Sequence, residues 1–434
     1  MKLTVHRGTH EIGGSCVEVS TATTRIVLDI GMPLVDTTRE PFDPSSIRGK
    51  TVEELLACGV LPRVQGLFEE AAGPRAILLS HAHLDHVGLL QHSRPEIPVY
   101  ASKGTSKMML AGALFAGRNE LPRERHHEIR SGEPFQVGDI QITPFSVDHS
   151  TFDSMAFLVE GEGQSLLYSG DIRTHGRKPW LTKNLVTEVA QRRIDVLLME
   201  GTHLGGDSLT GITEPDLEET IVPLVQEASG VVLAAFSPMD VDRLVTFYKA
   251  ARRADRTFVV DVYAAFVLYL VASQANTPPP VAEKGIRVYY HQAFVSTYVK
   301  RRMESIAEKF TADRIPLEEV LADPSRYVMS FRPSMVELDF GGRLPHKARC
   351  VYSYWKGYLK NPDWVEFQER IKAAGGDFLH AHTSGHIFIN DLIDLVKAIN
   401  PRTIVPVHTF EPQEFRRYFT NVRLLQDGEV FVVE

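Results

Sequence analysis

Between residues 2 and 30, the apolar runs Leu3–Val5, Ser15–Val19 and Arg25–Ile30 alternate with turn residues, and Gly13-Gly14 parts the first two as a hairpin turn does. Short runs rich in β-branched residues predict strands. The pattern resumes at Ala76–Leu79, Pro98–Tyr100, Phe135–Val137, Ile140–Phe145, Met155–Val159, Ser165–Tyr168 and Ile194–Met199. A helix is predicted over Ser102–Ala116, and another near Thr51–Cys58 inside a Pro- and Gly-rich excursion from 36 to 74. Many of these strands end on residues able to do chemistry: Asp29, the histidines from His81, then His149, Asp171 after Ser169-Gly170, and Glu200 in Met-Glu-Gly-Thr-His. Asp29 suits either of two roles, a partner of a metal-bound histidine or a carboxylate closing the turn before Gly31.

The pattern changes near Gly205. Strands at Gly230–Phe236, Thr257–Asp261, Ile286–Tyr290, Tyr327–Ser330 and Ala348–Tyr352 are interleaved with helices at Val241–Ala254 and Val262–Gln274. Such alternation predicts a parallel sheet flanked by helices, and no metal-type cluster falls in it. The earlier style returns at Asp377–His386, followed by an amphipathic helix over Asn390–Ile399, the strand Thr403–Val407 closing on His408, and short strands from Leu424 to Val433. The expectation is an α/β protein in which a block, residues 206–372, is inserted into a first domain made of residues 1–205 and 373–434.

Composition adds limits rather than chemistry. The chain has 434 residues, 43% hydrophobic and 24% charged, as ordinary globular proteins do. A net charge of −8 gives no global attraction to a polyanion, so a nucleic-acid partner needs a local basic surface. The segment Arg118–Arg130 is such a candidate, although a solvated helix face is the commoner meaning of a charged run. Arg332 and the Tyr352-Ser-Tyr-Trp-Lys356 stretch are candidate contacts for backbone phosphates and bases. Cys16, Cys58 and Cys350 form no CxxC pair, which suits a reducing cytoplasm. Met1–His6 is too short and polar for a signal peptide, and the longest apolar run, Val262–Ala272, is too short to span a bilayer.

The densest chemistry lies in Ser80-His-Ala-His-Leu-Asp-His86. Alternate residues of an extended segment share a face, so His81 and His83 can bind one ion together, while Asp85 and His86, past the turn, can reach a second. Imidazole and carboxylate suit zinc, or manganese and iron. With His149, Asp171 and His408 the cluster resembles the ligand set of the metallo-β-lactamase fold, and the inserted block resembles the β-CASP subfamily of nucleic-acid nucleases. Glu200, His386 in Thr-Ser-Gly-His and His408 in Pro-Val-His-Thr match its three characteristic positions.

The resemblance implies a four-layer αββα fold with an inserted α/β domain and two divalent metal ions, Zn²⁺ ahead of Mn²⁺ or Fe²⁺. His81, His83 and His149 would hold one ion, Asp85, His86 and His408 the other, and Asp171 would bridge them. A metal-bridging hydroxide would attack phosphorus, Asp85 would orient or deprotonate it, and His386 would serve the leaving oxygen or the developing charge. Glu200 would accept a hydrogen bond from a ligand imidazole. A histidine at the third β-CASP position accompanies RNA-directed members. The expected activity is therefore a ribonuclease, endo- or 5′-exonucleolytic, acting on single-stranded RNA, with no membrane partner and a homodimer left open. The alternatives are a DNA nuclease taking single-stranded DNA and a non-catalytic scaffold of an RNA-processing complex. Phe236-Ser-Pro-Met-Asp240 departs from the ribonuclease J loop that binds a terminal phosphate, and neither that family's C-terminal domain nor the KH-type domains of archaeal relatives are matched.

Overall fold

The computed structural model describes residues 1–36, 39–206 and 208–434; Thr37, Thr38 and Asp207 lie outside them. Three sheets organise the described residues. The first runs, edge to edge, through Val430–Val432, Lys2–Arg7, Cys16–Ser20, Arg25–Leu28, Ala76–Leu78, Val99–Ser102 and His126–Ile129. The second runs through Thr403–Val407, Val196–Glu200, Gln164–Tyr168, Ser154–Gly161, Ile140–Val147 and Phe135–Val137.

Strand periodicity explains how these two sheets stack. Ile26 and Leu28 point into a core shared with Phe157, Val159, Leu166, Leu198 and Val405 of the second sheet. Val27, between them, points the other way, into a core with the helix Lys103–Ala116. In the second sheet Leu167, Leu197 and Ile404 face outward against Leu185, Leu392 and Val396 of the helices Pro179–Val189 and Ile389–Ile399. The result is helix, sheet, sheet, helix: the four-layer αββα arrangement.

The third sheet is entirely parallel, in the order Ile286–Tyr289, Thr257–Asp261, Tyr327–Ser330, Val232–Ala235, Arg349–Tyr352, Asp377–His380. It is the β-CASP-like insertion. Its last strand lies within the stretch that the sequence pattern assigns to the closing part of the first domain, because Cys350 and Val351 pair with Phe378 and Leu379. One face of this sheet, with Val232, Phe258 and Val260, joins the core that also holds Val27, Ile77 and Leu79 of the first sheet.

Several expectations need correction. Arg118–Arg130 is not a helix: after a single turn at Arg123–Arg125, His126–Ile129 forms the edge strand of the first sheet, where charged residues guard an unpaired edge. Tyr352 is fully buried in the third sheet's core, so it is no base-stacking platform, whereas Trp355 is exposed. The helices Pro179–Val189, Glu214–Gln226 and Pro362–Ala373 lie where no helix is predicted. Glu214–Gln226 carries Pro223 in its interior and is started by a Thr213–Asp216 capping box. Among the described residues no helix is long and apolar enough to cross a membrane, and all three cysteines are free.

Buried charge locks the insertion onto the rest. Arg243 donates to Glu214 at 2.9 Å, to the Ser353 carbonyl at 2.8 Å and to the Thr383 carbonyl at 3.0 Å, with both charged side chains buried. Arg173 is also fully buried, between Asp148 at 2.9 Å and Asp242 at 2.7 Å. Arg243→Met strands Glu214 without its cation, which costs about 3–5 kcal/mol. Urea denaturation is expected to show the loss, with a smaller loss for the Arg243→Met/Glu214→Leu double variant.

Candidate metal centre

The site is built on strand ends. His81 follows Ala76–Leu78, His149 follows Ile140–Val147, Asp171 follows Gln164–Tyr168 and His408 follows Thr403–Val407. His83 precedes, and Asp85 and His86 lie within, the single helical turn Leu84–Val87. This turn is fastened to the segment after the third strand: Ile30 N donates to the His86 carbonyl at 2.8 Å and Met32 N to the Leu84 carbonyl at 2.9 Å. Only glycine fits at position 31, since a Cβ there would lie 1.7 Å from the Asp85 carbonyl oxygen.

All seven donors expected from the sequence come together. His81, His83, His149 and Asp171 form one group, and Asp85, His86, Asp171 and His408 another, with donor atoms within 4.8 Å of one another in each. Asp171 belongs to both. Its Oδ2 lies 3.2 Å from His86 Nε2, 3.6 Å from His81 Nε2 and 3.7 Å from His149 Nε2. Asp171, Glu200, His386 and His408 make a third such group.

The surroundings fix which ring nitrogen faces inward. Ser80 Oγ donates to Asp29 at 2.7 Å, so it accepts from His81 Nδ1 at 3.0 Å. His86 Nδ1 donates to Asp29 at 2.8 Å, and His149 Nδ1 to the Gly385 carbonyl at 2.6 Å. Thr202 Oγ1 donates to Glu200 at 2.7 Å and accepts from His408 Nδ1 at 3.0 Å. In each of these four rings Nδ1 donates to its partner, which turns Nε2 toward the centre of the cluster. His81 Nε2, His86 Nε2 and both Asp171 oxygens are buried without a hydrogen-bond partner. Burying such atoms unpaired is costly, and a divalent cation among them removes the cost. The donor set therefore fits metal.

Of Asp29's two candidate roles, the structure favours the partner. It is fully buried at φ 60°, and its oxygens accept from Ser80 N and Oγ, His86 Nδ1 and Tyr168 OH at 2.7–2.8 Å. Ser80, Tyr168 and Thr202 are not legible as site residues, because single hydroxyls carry no spacing signature. Glu200 differs from expectation. It pairs directly with His386 Nδ1, at 3.1 and 3.2 Å, and reaches His408 only through Thr202.

The electrostatics follow this geometry. Burial pushes His81 and His149 well below the usual histidine range, and His83 down to about 4, with Arg118 adding to the last against Asp85 and Asp171. Burial also opposes charge on His86, but Asp171, Asp29 and Asp85 outweigh it and hold that imidazole well above the usual range. At His386 burial is again outweighed, by Glu200 and then Asp171, and the ring is raised to about 9.

Comparison with known proteins agrees with the geometry. The profile of a beta-lactamase superfamily domain matches residues 50–233, and that of a Zn-dependent metallo-hydrolase RNA specificity domain matches residues 380–425. The chain belongs to the metallo-β-lactamase superfamily. Within it, the chain is a distant homologue of the β-CASP proteins named ribonuclease J and RNase MJ4. It is 25% identical over 360 residues to ribonuclease J of Sinorhizobium meliloti, covering 80% of this chain and 60% of that protein. It is 28% identical over 364 residues to ribonuclease J of Mycobacterium tuberculosis, covering 80% and 61%. It is 22% identical over 453 residues to a probable RNase MJ4 of Methanocaldococcus jannaschii, covering 93% and 92%. The chain thus spans about 60% of the ribonuclease J relatives. A crystal structure of a protein of unknown function from Enterococcus faecalis V583 shares the fold, with a TM-score of 0.78 at 23% identity over 99% of both chains.

Asp29→Ala is expected to lower metal affinity about 10–100-fold, as loss of a ligand's supporting carboxylate does, measured by competition with a chelator. A second expectation concerns pH in the metal-free protein. His386 is raised above its unfolded value of about 6.5, so its stabilising pairing is complete below that pH and is lost as pH rises through about 9. Thermal midpoints followed across that window are expected to fall in the wild type and to change less in Glu200→Gln.

Proposed function

We propose that this protein is a metal-dependent phosphodiesterase that hydrolyses single-stranded RNA. The observation that supports it most is the seven clustered donors lying directly against the His386–Glu200 pair, whose imidazole is raised to about 9. The match to an RNA specificity domain over residues 380–425, which includes both His386 and His408, supports RNA as the polymer. A non-catalytic scaffold has no need of a complete donor set.

His81, His83 and His149 would hold one divalent cation and Asp85, His86 and His408 a second, with Asp171 shared; Zn²⁺ is the leading ion, with Mn²⁺ and Fe²⁺ as alternatives. Bound there, the pair supplies Lewis acidity toward the phosphate and an activated water. Asp85, whose carboxyl is held below its usual range chiefly by His86 and His408 against the effect of burial, stays ionised and orients that water. His386 holds a proton at Nδ1 through Glu200 and presents its other nitrogen to the leaving oxygen as general acid. The first domain carries the donors, and the inserted block, whose sheet extends to Asp377–His380, roofs the cleft. Free cysteines suit work in a reducing cytoplasm.

His386→Ala is expected to keep its metal content and fold while turnover falls roughly 10²-fold or more. Loss of metal in that variant would make His386 a ligand instead. With Zn²⁺ or Mn²⁺ added, end-labelled single-stranded RNA is expected to be cut faster than DNA of the same sequence. Equal rates or a preference for DNA would overturn the assignment, and product lengths separate endonucleolytic from 5′-exonucleolytic action.

A further inference from the structure

The chain leaves the insertion's sheet twice at one place, and only one of these exits has a role so far. The strands Arg349–Tyr352 and Asp377–His380 are parallel neighbours in register, with Tyr352 opposite His380. Their continuations, residues 353–360 and 381–386, therefore depart side by side from the carboxyl edge of the sheet. The second continuation carries His386. Arg243 joins the two, donating to the Ser353 carbonyl at 2.8 Å and to the Thr383 carbonyl at 3.0 Å. Ser353 Oγ donates to the Ala381 carbonyl, and His380 Nε2 to the Tyr354 carbonyl at 3.1 Å. In open α/β sheets, ligands bind at this edge.

Within residues 353–360 the side chains divide between core and solvent. Tyr354 and Leu359 pack against the core that holds Tyr352, whereas Trp355 and Tyr358 are 63% and 50% exposed. Among the described residues Trp355 is the most exposed of the large hydrophobic side chains. It is nevertheless fixed. Tyr352 OH and Tyr358 N both donate to the Trp355 carbonyl, each at 3.2 Å. The indole lies against the backbone of Gly357, where a Cβ would come 1.9 Å from the ring's Cζ3. It meets Tyr358 edge-on, with ring centroids 5.5 Å apart and planes at 88°. Two large rings held side by side in water mark a contact surface.

The charge around these rings selects the partner. Residues 354–362 include Lys356 and Lys360, both exposed, and no Asp or Glu. Glu366, on the helix Pro362–Ala373, is paired with Arg370 at 2.8 Å. Aromatic faces flanked by free cations suit bases joined by phosphates. A duplex hides the faces of its bases, so the partner that fits is an unpaired strand.

We propose that Trp355 and Tyr358 form a base-stacking platform at the rim of the metal cleft, on which a nucleobase of single-stranded RNA rests while Lys356 and Lys360 meet the phosphates beside it. This rests on the assignment of the protein as a single-stranded RNA hydrolase. Tyr352, buried beneath, touches no base and supports the platform by holding the Trp355 carbonyl. The platform grips the strand away from the reacting phosphate, so it governs binding and not the chemical step.

The test is binding of a short, labelled single-stranded ribo-oligonucleotide to the full chain, by fluorescence anisotropy, with a chelator present to prevent cleavage. Both side chains project into solvent, so their truncation leaves the core intact. Trp355→Ala is expected to weaken binding roughly tenfold and Tyr358→Ala about threefold, while Trp355→Phe stays within about threefold of the wild type. Lys356→Ala should lower the salt slope by about 0.7. An abasic nucleotide moved along the strand should cost the wild type affinity at one position, and that loss should vanish in Trp355→Ala. Such cancellation is not produced by a merely structural tryptophan. If the wild type binds RNA and Trp355→Ala binds it equally, or the abasic effect persists, the platform is wrong and the RNA assignment stands. An equal loss on duplex RNA would overturn stacking in the same way. So would a Trp355→Ala variant that keeps its RNA affinity but loses mass by light scattering, which would make the patch an interface between copies of this chain. If the wild type binds no single-stranded RNA, both readings fall together.

Discussion

A buried carboxylate with no hydrogen-bond donor of its own is the constraint on which this site depends. Asp171 lies among the nitrogens of His81, His86, His149, His386 and His408, all within 4 Å of one of its oxygens. Without positive charge at its centre such an assembly is held by protonation of its own histidines, as the raised His86 shows. Burial strengthens every charge interaction there because little water screens it. The same burial makes the arrangement dependent on cations, whether protons or metal.

What holds the donors in place is a set of groups behind them. Asp29 ties together the motif strand through Ser80, the motif turn through His86 and the second sheet through Tyr168. Glu200 does the same at the opposite side, joining Ile172 N, Thr202 and His386. Two carboxylates thus orient imidazoles from several strands, and each lies at a strand's end, where the backbone is rigid. Positive φ values at Asp29 and His408, 60° and 54°, place conformational strain at the two corners where direction must change abruptly.

The sequence made the donors legible because strand periodicity and dense His and Asp spacing coincide. Its strands at Thr257–Asp261, Tyr327–Ser330 and Thr403–Val407 have the same limits in the structure. The helices it missed are amphipathic segments interrupted or preceded by proline, as in Glu214–Gln226 and Pro362–Ala373, where propensity argues against what tertiary packing enforces. Ser80, Tyr168 and Thr202 were invisible for another reason. A hydroxyl acquires its role from which groups surround it in space, and that proximity spans up to 206 residues of chain, as between Thr202 and His408.

The continuous core between the first sheet's outer face and the insertion has a mechanical meaning. Val27, Ile77 and Leu79 share that core with Val232, Phe258 and Val260, and Arg173 and Arg243 pin its margin. Parting the two bodies like a pair of jaws would wet this surface, at about 2.5 kcal/mol for every 100 Å² of apolar area exposed, and would break ion pairs as well. The seam therefore behaves as a weld rather than a hinge. For the single-stranded RNA proposed as substrate, such a seam favours entry end-first or along the rim over a parting of the two bodies around it.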